Sequence, residues 1–228
     1  YLFYFRHVEI RPDIRMLSRA SFWRLFSLGW RYVAQHIAGI GMFQTQPLLI
    51  TQILGPHSVG VFNVVNRIVS LPLMFVQLFT YPLLPAYSEA RARNDWVWIW
   101  KTLKRSVAGA VIVIAVLMVF LVAGAEPLIR CWAGEEMVPP FSLTLLLAVY
   151  VVINAAITPI AIFFSGIEWV GSQAVIALVN ALITVGLAVC ILPTMKLPGM
   201  GLAMLLGFLA NVAGQLLMVR RLIVRSRA

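Results

Sequence analysis

Residues 54–96 read LGPHSVGVFNVVNRIVSLPLMFVQLFTYPLLPAYSEARARNDW. The stretch opens on a Leu54-Gly55-Pro56 turn, continues as a membrane-length apolar run and ends in a basic segment. Inside the run stands Arg67, with Asn63, Asn66, Ser70 and Gln77 at helical spacing around it. An arginine at the centre of a membrane helix costs roughly 2.5–3.5 kcal/mol on insertion scales, and something must offset that cost. Two placements do so. Either the guanidinium faces protein or a water-filled cavity that handles anions, or it snorkels to the headgroups. Arg67 lies eight residues past Val59, about 12 Å along a helix. In a hydrocarbon layer about 30 Å thick, that depth strains snorkelling without forbidding it.

The remainder of the chain supports the membrane setting. Its 228 residues are 61% hydrophobic and 11% charged, with mean hydropathy +0.92. A soluble domain of this size cannot hide so much apolar surface, so the expected class is an all-α membrane protein. The net charge of +10 would point to nucleic acid in a soluble protein. Here the basic residues sit between apolar spans, where membrane topology accounts for them, and no nucleic-acid partner is expected. The chain opens on Tyr1-Leu-Phe-Tyr-Phe5 followed by Arg6 and His7. This reads as the end of a preceding span, so the chain is expected to be the C-terminal part of a longer protein.

Working outward, residues Ile10 to Trp23 place Arg11, Arg15 and Arg19 at steps of four, with Ile14, Leu17, Phe22 and Trp23 for apolar contact. This suits a helix lying on an anionic membrane surface, and equally an ordinary connector. The first span, Leu28 to Leu54, is rich in amides. Gln35, Gly39, Met42 and Gln46 share a face that should meet protein or water rather than lipid, through helix–helix hydrogen bonds or by lining a cavity. The second span, Val59 to Tyr87, carries Pro72, Pro82 and Pro85, which would bend it, either permanently or between states.

Ser88 to Arg105 reads as a polar loop with a short helix paired through Glu89/Arg93 and Arg91/Asp95, followed by Trp96, Trp98 and Trp100 as headgroup anchors. Four further spans follow: Val107 to Ala125, uniformly apolar; Pro140 to Phe164, with Tyr150, Asn154 and Thr158 at steps of four; Gln173 to Leu192, with Asn180 and Thr184 on one face; and Gly199 to Val219. In the last, Ala203, Gly207, Ala210 and Gly214 favour close helix contact. A turn at Pro193 to Pro198 carries Lys196.

The expected organisation is therefore 1–27 as the end of a preceding span plus an interfacial linker, 28–219 as a six-helix lobe and 220–228 as a basic tail. Of the 18 lysines and arginines, all but Arg67, Arg130 and Lys196 then fall on one side. The positive-inside rule makes that side, and both termini, cytoplasmic. Cys131 and Cys190 would lie near the opposite side, where a disulfide has room to form but no spacing supports it.

No phosphate-binding glycine loop, H-E-x-x-H, nucleophile elbow or metal-ligand cluster is present, so neither a metal site nor a cofactor is expected. Short outer loops leave little room for an extracytoplasmic catalytic domain, and the protein is not expected to be an enzyme. No carboxylate stands well within a span, which argues against a proton or sodium relay built in this segment. What remains is a polar, singly cationic face on the first two spans, contributed by Arg67, Asn63, Asn66, Ser70, Gln77, Gln46 and Gln35. It suits a ligand with anionic and hydroxyl-rich parts, such as a sugar phosphate.

The run LGPHSVGVFNVVNRIVSLP at 54–72, with Ile50 ahead of it, resembles the middle of bacterial polysaccharide exporters. So do PAYSEARARNDW at 85–96 and the glycine turn LPGMGLA at 197–203. These are O-antigen flippase-like (Wzx-type) members of the multidrug/oligosaccharidyl-lipid/polysaccharide exporter superfamily, which serve polysaccharide and lipopolysaccharide biosynthesis. The resemblance covers essentially the whole chain, matched to the second six-span lobe. It implies a two-lobe transporter of the bacterial inner membrane, with a cavity against an N-terminal lobe of the same protein and alternating access. The implied cargo is an undecaprenyl-pyrophosphate-linked oligosaccharide, and Arg67 matches the arginine common in this span. Where many relatives carry an acidic residue, this chain has Gln46, which leaves the energy source open. A cation-coupled multidrug antiporter of the same superfamily is the alternative, and a membrane glycan polymerase or ligase a further one.

Overall fold

The computed structural model describes residues 18–167 and 169–227, which form helices and short turns without a strand. α1 spans Arg19–Leu54, α2 Pro56–Thr80, α3 Leu83–Ala92, α4 Trp96–Ala133, α5 Phe141–Gly166 and α6 Val170–Arg227. A 3₁₀ turn, Glu135–Met137, precedes α5. Among the described residues, four helical segments are long and apolar enough to cross a membrane: Pro56–Ala92, Trp96–Ala133, Phe141–Gly166 and Gly171–Ile223. The protein is thus a multi-pass membrane protein of all-helical class.

The last of these segments is too long to be one straight rod in a bilayer, and its backbone explains why. Lys196 leaves the helical region, with φ 54° and ψ −141°, and the chain folds back there. A Cβ added to Gly199 would lie 2.9 Å from the Ile191 carbonyl oxygen, one on Gly207 2.0 Å from Thr184 Oγ1, and one on Gly214 2.9 Å from Ile176 Cγ1. Partners that recede on one side as they advance on the other define an antiparallel hairpin, with arms at 170–195 and 197–227. The Pro193–Pro198 turn expected from sequence is its tip, and Pro198 occupies the first turn of the returning arm, where a missing N–H costs nothing.

Short contacts also fix which loops share an end. Ser88 Oγ donates to the Gly166 carbonyl at 2.7 Å, and Arg91 Nη1 donates to the Ile167 carbonyl. α3 is thereby clamped over the last carbonyls of α5, groups a helix end leaves open. At the other end, Gly60 abuts Met137 Sδ and Gly201 abuts Leu143 and Leu146. The basic segment before and within the first turns of α4 therefore lies at the end of the bundle opposite the Lys196 tip.

The segment Ser88 to Arg105, expected as a polar loop with a short helix, is mostly helical. α3 ends at Ala92, Asn94 turns the chain with φ 56°, and Asp95 caps α4 by accepting from the Trp98 N–H at 2.9 Å. Asp95 is occupied as a cap and Arg91 by a carbonyl, so the expected Arg91/Asp95 pair does not form, whereas Glu89/Arg93 does. Trp96 and Trp100 are half-buried, each with one side packed against the core, while Trp98 stays exposed. α2 passes through Pro72 without a break, and the interruption comes at Tyr81–Pro82. The expected interfacial stretch Ile10 to Trp23 lies outside the described residues up to 17, and from Arg19 the chain is continuous with α1. Cys131 and Cys190 are exposed and unpaired.

The core is built where α2, α3, α5 and the start of α4 meet, around Phe62, Val65, Tyr87, Ile99, Leu147 and Phe163. Tyr87 and Phe163 meet edge to face at 5.3 Å, a geometry that adds about 0.5–1.5 kcal/mol beyond burial. The middle of α4 instead presents Ile112, Val116, Val119 and Phe120 outward, as a lipid-facing helix does.

Gly207→Val should pry the α6 arms apart and destabilise the protein by about 1–3 kcal/mol, as overpacking does. Gly186→Val, where an added Cβ meets nothing within 4 Å, should stay within about 0.5 kcal/mol of wild type; thermal unfolding in detergent reads both. Arg91→Gln should speed amide hydrogen exchange at 163–169 while leaving the α6 hairpin protected.

Candidate functional site

α2 divides cleanly along its length. Val61, Phe62, Val65, Ile68, Val69, Pro72 and Val76 are buried and hold the helix against α5 and α1. The opposite stripe, at steps of four and three, carries Asn63, Arg67, Ser70, Met74 and Gln77. The apolar face docks the helix, so the polar stripe is left open by the same periodicity.

Part of this stripe lines a cleft of about 900 Å³, at the upper end of the size of small-molecule sites. α2 contributes Asn63, Val64, Asn66, Arg67, Ser70, Leu71 and Met74, α1 contributes Gln44 and Pro47, and Trp132 closes it from the end of α4. Ser70 Oγ approaches Asn66 Oδ1 at 3.5 Å, a weak contact that leaves both groups available to a ligand. Arg67 is exposed to the cleft. Among the described residues the ion pairs are Arg93–Glu89, Arg130–Glu126 and Arg130–Glu135, so the Arg67 guanidinium has no carboxylate partner. A planar cation with five donors, flanked by amides and a hydroxyl, is matched to a phosphate or carboxylate rather than to a cation.

The expected site residues separate in space. Asn63, Asn66, Arg67 and Ser70 come together in the cleft. Gln77 lies on the same exposed stripe but below the cleft lining. Gln46 is 2% exposed with its Nε2 unpaired; it turns into the packing of α1 and does not line the cleft. Gln35 lies in α1, and its side chain is outside the described ones.

Gln44 and Trp132 join the cleft in their place. In the sequence Gln44 is one of several amides in its span, and Trp132 has no spacing relation to α2, so only packing brings them beside Arg67. The ladders Tyr150–Asn154–Thr158 and Asn180–Thr184 bond within their own helices and line no part of this cleft. Among the described residues no group of histidine, cysteine and acidic side chains is arranged to hold a metal.

Neither the curated proteins nor the solved structures contain a match to this chain. A family comparison gives one: the family described as polysaccharide biosynthesis protein matches residues 1–142. That span holds α1 to α4 and with them every side chain that lines the Arg67 cleft. The chain belongs to the polysaccharide biosynthesis protein family.

Proposed function

We propose that this chain is a six-span lobe of a two-lobe exporter in the bacterial inner membrane, and that it moves undecaprenyl-pyrophosphate-linked oligosaccharide across the bilayer by alternating access. The observation that carries the reading is the carboxylate-free Arg67, set among Asn63, Asn66, Ser70 and Gln44 on the open side of α2. The role in polysaccharide biosynthesis follows from the family. The flipping step, the lipid carrier and the second lobe are our reading of the site.

In this reading Arg67 holds the pyrophosphate through charge-assisted hydrogen bonds while the amides and the hydroxyl meet sugar hydroxyls. The lipid tail stays in the bilayer, and the cavity between lobes keeps the glycan hydrated. The six spans are α1, the α2–α3 segment, α4, α5 and the two arms of α6, with both termini cytoplasmic. The protein acts as a carrier, without cofactor and without bond making. A multidrug antiporter is the weaker reading, since an unpartnered guanidinium in the cleft repels organic cations.

In the full-length protein, Arg67→Ala should reduce translocation of the lipid-linked glycan at least tenfold, as expected when a charged hydrogen bond to a phosphate is lost. Arg67→Lys should retain an intermediate rate, because lysine keeps the charge and loses the planar fork. Wild-type rates for both would remove Arg67 from the mechanism, and an Arg67→Cys protein inert to a water-soluble maleimide in every state would place it in lipid.

A further inference from the structure

A second recess, about 310 Å³, shares no residue with the Arg67 cleft. α4 contributes Trp100, Lys104 and Ala108, the returning arm of α6 contributes Leu216 and Ile223, and Ile160 lines it from α5. The groove thus joins the start of α4 to the end of α6, at the basic end of the bundle. The steps from 100 to 104 to 108, and from 216 to 223, each follow successive helix turns, so the groove runs along the helices rather than across them. Its side chains are apolar apart from Lys104, and Trp100 is braced by Phe163 at 5.7 Å. A slot of this direction and lining is shaped for a hydrocarbon chain lying parallel to the spans.

The charge around its end favours one kind of headgroup. Lys104 lines the groove itself. Arg220 stands four residues after Leu216 and three before Ile223, on the same helical stripe, and is exposed. Neither belongs to an ion pair among the described residues. The nearby carboxylates on α3 and at the α4 cap are already engaged, Glu89 by Arg93 and Asp95 by the Trp98 N–H. Lys101, Arg105 and Arg221, all exposed, add positive charge at the same level.

We propose that this groove is a binding site for a glycerophospholipid with an anionic headgroup, drawn from the leaflet at the basic end. One acyl chain lies between α4 and the returning arm of α6, the headgroup phosphate meets Lys104 and Arg220, and the Trp100 indole sits at the ester level. The site requires only that the protein be embedded in a bilayer, and it stands whether or not Arg67 carries a glycan. A lipid held there bridges α4, α5 and the last arm of α6.

The test uses the full-length protein in vesicles of phosphatidylcholine doped with a phosphatidylglycerol or a phosphatidylcholine that carries a photoactivatable acyl chain, with adducts mapped by peptide mass spectrometry. The expected result is labelling of 100–108 and 216–223 by the phosphatidylglycerol probe in clear excess over the phosphatidylcholine probe. Lys104→Gln and Arg220→Gln should each lower that excess roughly fivefold, the effect of one basic residue near an anionic surface. Ala108→Trp, which fills the groove, should abolish labelling there by both probes, while Ala123→Trp on the same helix should leave it intact. Equal labelling by the two probes, adducts confined to other segments, or crosslinks from these peptides to protein in place of lipid would each overturn the proposal.

Discussion

Hydrocarbon supplies no hydrogen bonds, and that constraint governs the rest of this molecule. Every backbone N–H and C=O within the bilayer must be satisfied inside its own segment, so the described chain is helical apart from short turns. The same constraint explains how the helix ends are treated. Asp95 caps α4, and Ser88 and Arg91 reach across to the terminal carbonyls of α5. Prolines 47, 72, 127 and 159 stand inside helices that continue through them, as membrane helices allow when neighbouring groups take up the freed carbonyls.

Against that background Arg67 is the exception. Its helix buries one face so completely that the other must be open, and the open face holds a cation, two amides and a hydroxyl where lipid would favour leucine. α1 and the end of α4 turn this face into a cleft rather than a bare surface. The buried but unpaired Gln46 amide shows that polarity in α1 is divided between packing and cleft, and that amides in one span need not serve one site.

The two ends of the bundle differ in charge because the hairpins alternate. The α6 arms reverse at Lys196, so the end of α6 returns to the level at which α4 begins. Lys101, Lys104, Arg105, Arg220 and Arg221 therefore gather at one end. At the far end Arg130 is engaged by Glu126 and Glu135. This polarity of charge is what the positive-inside rule reads, and it also gives the apolar groove at the basic end its preference for anionic headgroups.

The sequence alone carried the class, most of the helix positions and the polar stripe of α2. Hydropathy over twenty residues, and periodicity along a single helix, are local properties that neighbours in space do not alter. The turn at Pro193–Pro198 and the close approach of Gly207 and Gly214 were legible for the same reason, since small residues at helical spacing announce contact. Three things were decided only by tertiary packing. The clamp of α3 on the end of α5 formed because Ser88 and Arg91 found the carbonyls of residues 166 and 167, far from them in sequence. The membership of the cleft changed, with Gln44 and Trp132 joining Arg67 and Gln46 withdrawing, because which face of α1 meets α2 depends on a crossing that no one-dimensional pattern encodes. The basic groove arises from residues more than a hundred positions apart, brought together by the fold-back at Lys196.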